Sequence, residues 1–325
     1  MTTKRQGRVG QLLCCAAAAL IIAAGCSNNS QPEKSDALHG QDNWILDTAF
    51  ESGAMVFNPI PGSARVNGKL DFGRNLEGKK TEWIVTQWNS KSDAAKMTGK
   101  RDGDRYLYEN EYKTIAVADD GTITLGLDAG KEYKKPRSSQ TDPWLHLYLE
   151  QRYKERHRLS EADDLTLQFE VRITESFSYM KPDEYNPGLH SSMAVFYLII
   201  GDQKGSGDFI NFCVPIYDNR EDIPSGEWHI DSGFNLAGDT HKLIYTVDGK
   251  LIYDHPTGDG QWHKVNLQLK PHIEKALEIA KQNGYFSDAE YEDLGLDAIY
   301  IGWEVPGVFK SEMQIRDVTI AGSGA

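Results

Sequence analysis

Cysteine is scarce in this chain. Of four cysteines, Cys14, Cys15 and Cys26 crowd the N-terminus, and Cys213 stands alone beyond them. No disulfide can therefore staple the domain, and a chain of this size does not need one to build a core. Cys213 sits in the apolar run FINFCVPIY and reads as a small core residue. Clustered positive charge is missing as well. There are 35 Lys and Arg against 48 Asp and Glu, a formal charge of −13, and no basic run follows the N-terminus. That balance excludes a nucleic-acid backbone as partner, because phosphate binding needs a concentrated basic face. The apolar run Met193–Ile200 has eight residues, too few to cross a bilayer. The nine histidines form no His-x-x-x-His pair and no cluster with cysteine, which excludes the usual zinc sites and leaves no metal to assign.

What the chain does contain begins with an address. Lys4, Arg5 and Arg8 make a positive n-region, and Leu12–Ala24 is an apolar segment shorter than a membrane span. It closes on Ile22-Ala23-Ala24-Gly25-Cys26, which resembles a bacterial lipoprotein signal, with Ala23 where such signals usually carry Leu. The resemblance implies that residues 1–25 are removed and that Cys26 is lipidated. It also implies a protein anchored to the cell envelope by lipid alone, at the outer membrane by the rule that Ser27 follows. The three basic residues leave with the signal, so the formal charge moves from −13 to −16. Residues 26–43, SNNSQPEKSDALHGQDN after the cysteine, are polar and read as a flexible tether.

From Trp44 to about residue 320 short β-like segments alternate with turn signals, with no repeat and no second domain. The organising stretch is Met193–Arg220: two long apolar strands joined by Gly201-Asp202-Gln203-Lys204-Gly205-Ser206-Gly207. Apolar residues on both faces place this hairpin centrally in a sheet, with material packed on each side. Leu165–Ile173 alternates cleanly, LTLQFEVRI, so one face is buried and one polar, as in an antiparallel sheet. Trp144–Glu150 alternates in the same way. Asp248-Gly249, between His241–Val247 and Lys250–Tyr253, signals a further hairpin. One helix is expected near 271–283, where Ile273, Ala276, Leu277 and Ala280 share a face, Pro271 opens and Gly284 ends it. The fold class is all-β, a two-sheet antiparallel sandwich with that single short helix.

The half-polar LTLQFEVRI, the long hairpin, HKLIYTVDGKLIY and the closing IYIGWEVPG…MQIRDVTI together resemble a concanavalin A-like lectin/glucanase jelly roll over roughly residues 44–320. The resemblance implies a sheet whose polar face takes a ligand, and a polysaccharide or glycan-bearing partner. It implies no cofactor beyond a structural calcium, for which Asp119-Asp120-Gly121 or Asp218-Asn219 would be the oxygen-rich turns.

Sugar rings offer apolar C–H faces and hydroxyl rims, so a glycan site needs aromatic platforms beside polar side chains. Trp144, His146, Tyr148 and Glu150 fall on one face of their segment, and Gln168, Glu170 and Arg172 on one face of theirs. If both strands belong to one sheet these seven residues share a surface; otherwise Trp144 and Tyr148 cover a second core and the charges are solvated. Trp83 and Trp88, five apart, point to opposite faces, and Trp303 packs inward with Ile299 and Ile301 while Glu304 faces out with Tyr300. Glucanases of this fold commonly carry Glu-x-Asp-x-Glu on a strand, and no such run occurs here; a cross-strand pair such as Glu150 with Glu170 is the remaining route to hydrolysis. A lyase would use Gln168-Phe169-Glu170-Val171-Arg172, which departs from the Arg/Glu/Arg strand of some alginate lyases at Gln168. Binding without confident catalysis is the first expectation, a lyase or hydrolase the alternative, and a non-catalytic envelope scaffold the third.

The leader generates one test. Cys26→Ser should leave the protein unprocessed or free of the membrane fraction, and mass spectrometry of wild-type protein should find acyl chains on Cys26. A wild-type N-terminus without lipid would exclude the anchor.

Overall fold

The computed structural model describes residues 43–231 and 240–322. The expected signal, Cys26 and the tether as far as residue 42 lie outside the described residues. Strands follow in chain order as β1 (Ala54–Phe57), β2 (Val66–Leu70), β3 (Trp83–Thr86), β4 (Gly99–Asp102), β5 (Arg105–Glu109), β6 (Lys113–Ala118) and β7 (Ile123–Asp128). After a four-residue helix α1 (Ala129–Glu132) come β8 (Leu145–Arg158), β9 (Thr166–Ser178), β10 (Met193–Asp202), β11 (Phe209–Asp218), β12 (Glu227–Ile230), β13 (Leu243–Thr246) and β14 (His263–Gln268). Helix α2 (Lys270–Gln282) precedes β15 (Leu294–Val305) and β16 (Phe309–Ala321).

These form two sheets, in the orders β12-β13-β11-β10-β15-β8-β3-β1-β2 and β14-β9-β16-β7-β6-β5-β4. Pairing is antiparallel throughout except for β1 with β3 and β11 with β13. The all-β jelly-roll sandwich expected from the sequence is therefore the architecture found. The β10–β11 hairpin is central, and its turn places Gly205 and Gly207 at positive φ, where a side chain would be strained. Helix α2 buries Ile273, Ala276, Leu277 and Ala280, the expected face.

The period-two alternation of the strands decides the core. Ala194, Phe196, Leu198 and Ile200 of β10, Ile299, Ile301 and Trp303 of β15, and Leu145, Leu147 and Leu149 of β8 face the other sheet. From that sheet Leu167, Phe169, Val171 and Ile173 of β9 and Met313, Ile315 and Ile320 of β16 meet them. Phe169 stacks on Phe196 with centroids 5.5 Å apart. The Trp303 indole N–H donates to the Leu125 carbonyl of β7 at 2.9 Å, a bond that spans the sandwich.

Two expectations need correction. Lys250–Tyr253 is not a strand: Asp248 accepts from the Lys250 N–H and caps a short 3-10 turn, Gly249–Leu251. A Cβ at Gly249 would stand 2.5 Å from the Pro224 carbonyl, so packing against the preceding loop, rather than hairpin closure, explains the glycine. Strand β13 instead pairs with β12 and β11. The second correction is that β8 and β9 belong to different sheets, because the chain crosses over between them. Their polar faces point away from each other on opposite sides of the sandwich.

Trp303 is fully buried and bridges both sheets. Trp303→Ala should cost about 3–5 kcal/mol through the cavity and the lost bond to the Leu125 carbonyl, read as a lowered urea midpoint. A loss below about 1 kcal/mol would show that the sandwich closes without this bridge.

Candidate functional site

The face of the nine-stranded sheet turned away from the main core carries a second cluster: Trp88, Tyr148, Met193, Val195, Tyr197, Ile199, Cys213, Ile244, Ala298 and Tyr300, with Phe209 against it. Register sets the rows. Tyr300 stands between Tyr197 of β10 and Glu150 of β8, and Gly302 between Val195 and Tyr148. Glu304 stands between Met193 and His146. His146 is ringed by aromatics, with centroids 5.4 Å from both Trp88 and Trp144 and 5.8 Å from Tyr148; Tyr148 meets Tyr300 at 5.8 Å.

Several polar atoms in this layer are buried without a hydrogen bond of good geometry: the indole N–H of Trp88 and of Trp144, both ring nitrogens of His146, the amide nitrogen of Asn211 and Oε2 of Glu304. Buried polar groups are normally paired, and each orphan costs about 1–3 kcal/mol. Burial pushes the His146 pKa down to about 3, offset in part by the Trp144 carbonyl and aided by the Arg137 charge. The same burial pushes Glu304 up to about 7, against the hydroxyls of Tyr148 and Tyr197, which favour the carboxylate; the charge of Asp231 adds to the rise. Tyr148 donates to Glu304 Oε1. Next to this row a small, open pocket is lined by Met193, Val195, Cys213, Arg220, Glu227 and Thr246 among others. Burial raises the pKa of Glu227 there, with His229 and Arg220 opposing.

The structure separates the seven residues proposed from sequence. Trp144, His146, Tyr148 and Glu150 do share this face. Trp144 lies under the Arg137 guanidinium, 4.4 Å from its ring centre, and it is buried, as are Trp88, His146 and Tyr148, so none of these rings is an open platform. Glu150 accepts from Thr86 Oγ1 at 2.7 Å and pairs with Arg152. Gln168, Glu170 and Arg172 lie on the outer face of the other sheet. There Gln168 meets Asn266, Glu170 pairs with Arg316, and Arg172 donates to Gln314 while lying over Trp262. The shared surface and the Glu150–Glu170 pair are thus both corrected, because a sheet assignment cannot be read from alternation alone.

Trp83 packs in the main core and Trp88 in the second cluster, as their spacing required, and Trp303 is inward. Asp218 pairs with Arg220 at 2.8 Å, and Asp119 with Arg101 at 2.8 Å, so a guanidinium holds a carboxylate in each turn considered for calcium. Among the described residues no group of three or more His, Cys, Asp or Glu side chains could hold a metal. Residues the sequence reading did not assign to a site are Glu304, Trp88, Tyr197 and Asn211. The alternation in IYIGWEV already put Glu304 and Tyr300 on one face; Tyr197 was hidden in a run apolar on both faces.

No protein-family model and no curated protein matches the chain. Among solved structures it is similar to a thermostable Cel12A cellulase variant derived from the Rhodothermus marinus enzyme, at 11% identity and a TM-score of 0.38, covering 73% of this chain and 98% of that one. It is also similar to the xyloglucanase domain of NopAA from Sinorhizobium fredii, solved with cellobiose, at 10% identity and 0.37, covering 71% and 100%. The family 11 xylanase of Neocallimastix patriciarum overlaps at 8% identity and 0.40, covering 73% and 98%.

The shifted groups give opposite pH slopes. Between about 4.5 and 7 folded Glu304 keeps a proton that the unfolded chain has released, so its contribution to stability falls as pH rises through that window. His146 is the reverse: with its folded pKa depressed to about 3, stability is lost as pH falls below 6.5. Glu304→Gln removes only the first slope. In urea unfolding at a series of pH values the variant should gain on wild type from about pH 5 to 7, whereas parallel curves would mean an ordinary, solvated Glu304.

Proposed function

We propose that this chain is a lipid-anchored cell-envelope protein that binds a neutral polysaccharide on the outer face of its nine-stranded sheet. One observation supports the reading: beside Tyr148, the Trp88 indole N–H, both ring nitrogens of His146 and Oε2 of Glu304 are buried without a hydrogen bond of good geometry. A sugar that displaced the side chains covering this layer would supply a C–H face for the rings and hydroxyls for the Trp88 N–H, His146 and Glu304 Oε2. With its pKa near 3, His146 is neutral and can donate from one nitrogen and accept at the other.

Charge selects against acidic glycans. Arg152 is paired with Glu150 and Arg220 with Asp218, while Arg137 is engaged by the carbonyls of Gln140 and Leu189. Glu304 and Glu227, both shifted towards their protonated forms by burial, offer a uronate no positive charge. A lyase needs a cation to neutralise the uronate carboxylate, and Arg172, the residue considered for that role, lies on the opposite side of the sandwich.

A second reading, hydrolysis of the bound glycan, rests on Glu304, whose pKa near 7 suits a general acid. Hydrolysis needs a second carboxyl about 5–9.5 Å away. Glu150 is displaced by four residues along β8 from His146, the residue opposite Glu304, or about 13 Å, and is tied to Arg152. Met193 stands directly across on β10. Asp231, which accepts from Thr240 and whose charge adds to the rise of Glu304, is the other carboxylate to be tested by substitution.

Titration calorimetry with cellohexaose, xylohexaose and hexagalacturonate tests both. A neutral oligosaccharide should bind and the acidic one should not. Tyr148→Ala should weaken binding by about 2 kcal/mol, roughly thirtyfold. No neutral ligand, or unchanged affinity in the variant, would remove the site from this face. Reducing-end release by wild type that is lost in both Glu304→Gln and Asp231→Asn would establish hydrolysis over binding alone.

A further inference from the structure

We propose that Lys113, a residue of the opposite sheet, is a positioning residue that holds Trp88 in the glycan face through a buried polar hub. The inference rests on the reading above in that Trp88 is taken as part of the site. Lys113 opens β6 on the same face as Ile115 and Val117, so its side chain enters the sandwich, and it is only 4% exposed. An ammonium has three donors. Here they go to Gln87 Oε1 at 2.8 Å, Ser90 Oγ at 2.7 Å and the Ser92 carbonyl, all three on the loop that carries Trp88.

The hub extends on both sides. The Ser90 hydroxyl passes on to Glu132 of α1 at 2.8 Å, and Glu132 also accepts from the Lys91 N–H. Gln87 donates to the Phe57 carbonyl at 3.0 Å and to Asp93 at 2.8 Å, and accepts from the Ala94 N–H. On the other flank the loop is tied to β8, with the His146 N–H on the Trp88 carbonyl at 3.2 Å and Asn89 Nδ2 on the Trp144 carbonyl at 3.0 Å. Asn89 sits at φ 59°, a backbone shape that asparagine tolerates but does not enforce. The loop therefore takes its shape from Lys113 and Glu132 on one side and β8 on the other.

A hub of this kind leaves a pH signature that a merely space-filling side chain would not. The charged groups acting on Lys113 are Glu132 and Asp93, with Lys91 beside Glu132. Burial outweighs them and lowers the Lys113 pKa to about 8. An opened loop would return the amine to its ordinary 10.5. Between those values the open form holds a proton the closed form has lost, so closure strengthens as pH rises from about 8 towards 10.5.

Hydrogen exchange with mass spectrometry on wild type and Lys113→Met, with cellohexaose titrated into both, tests the proposal. In Lys113→Met the amides of residues 88–96 should exchange about tenfold faster while β10 and β15 keep their protection, with affinity lower by about tenfold. In wild type, protection of 88–96 corrected for intrinsic rate should rise between about pH 7.5 and 9.5, and in the variant it should not. Unchanged exchange at 88–96, or an equal rise across β10 and β15, would overturn the proposal. If Lys113→Met does not fold, Glu132→Gln carries the same readout: a loosened loop with intact β10 and β15 supports the hub, and an unaltered loop rejects it. Wild type that binds no oligosaccharide but shows the loop response would dispose of the glycan reading and leave the positioning role standing.

Discussion

Every residue of β10 and of β15 is buried, on both faces, and that constraint shapes the rest of the molecule. A strand in this position needs a layer on each side. The seven-stranded sheet covers one face with the Leu, Ile and Phe layer that Phe169 and Phe196 join. The other face is lined by Tyr197, Tyr300, Val195, Ile199 and Met193, with β8 and the Trp88 loop alongside. Hydrogen-bonded ladders satisfy the backbone, so whatever polar groups enter this second layer are side chains, and they carry the desolvation cost.

That cost accounts for the electrostatics of the face. One cause, burial, moves His146 and Glu304 in opposite directions, and both moves favour the neutral form near neutral pH. Where a charge is retained it is paired, as in Glu150 with Arg152 and Asp218 with Arg220. The outer face of the other sheet follows the opposite rule. Glu170, Arg172, Arg316 and Gln314 are only partly covered and form surface ladders, a setting where ion pairs contribute little.

The polar interior at the end of the sandwich differs from both. Lys113 and Glu132 come from the small sheet and its short helix, yet their acceptors and donors sit on the loop leaving β3. A buried ammonium is tolerated there because all three of its protons are used. The loop it holds also delivers Trp88 to the other side of the large sheet, which links two regions far apart in the chain.

Much of this was determined locally and is legible in the sequence. Period-two alternation identifies the inward residues of β8, β9 and β15; the glycines at 205 and 207 close the central hairpin; and Ile273, Ala276, Leu277 and Ala280 mark α2, because each depends on neighbours a few residues away. Asp248-Gly249 misled, because an Asp–Gly pair serves a capped turn as well as a hairpin, and the Pro224 carbonyl that chooses between them is distant in sequence. Which sheet a strand joins is likewise non-local. Trp144–Glu150 and Leu165–Ile173 look alike as alternating segments, but the crossover between them sends one polar face into the candidate site and the other to solvent on the far side. The sequence by itself determined which side chains oppose the core on each strand. Only tertiary pairing decided that Glu304 would meet His146, Tyr148 and Met193, since register across β8, β15 and β10 is set by packing over more than a hundred residues of intervening chain.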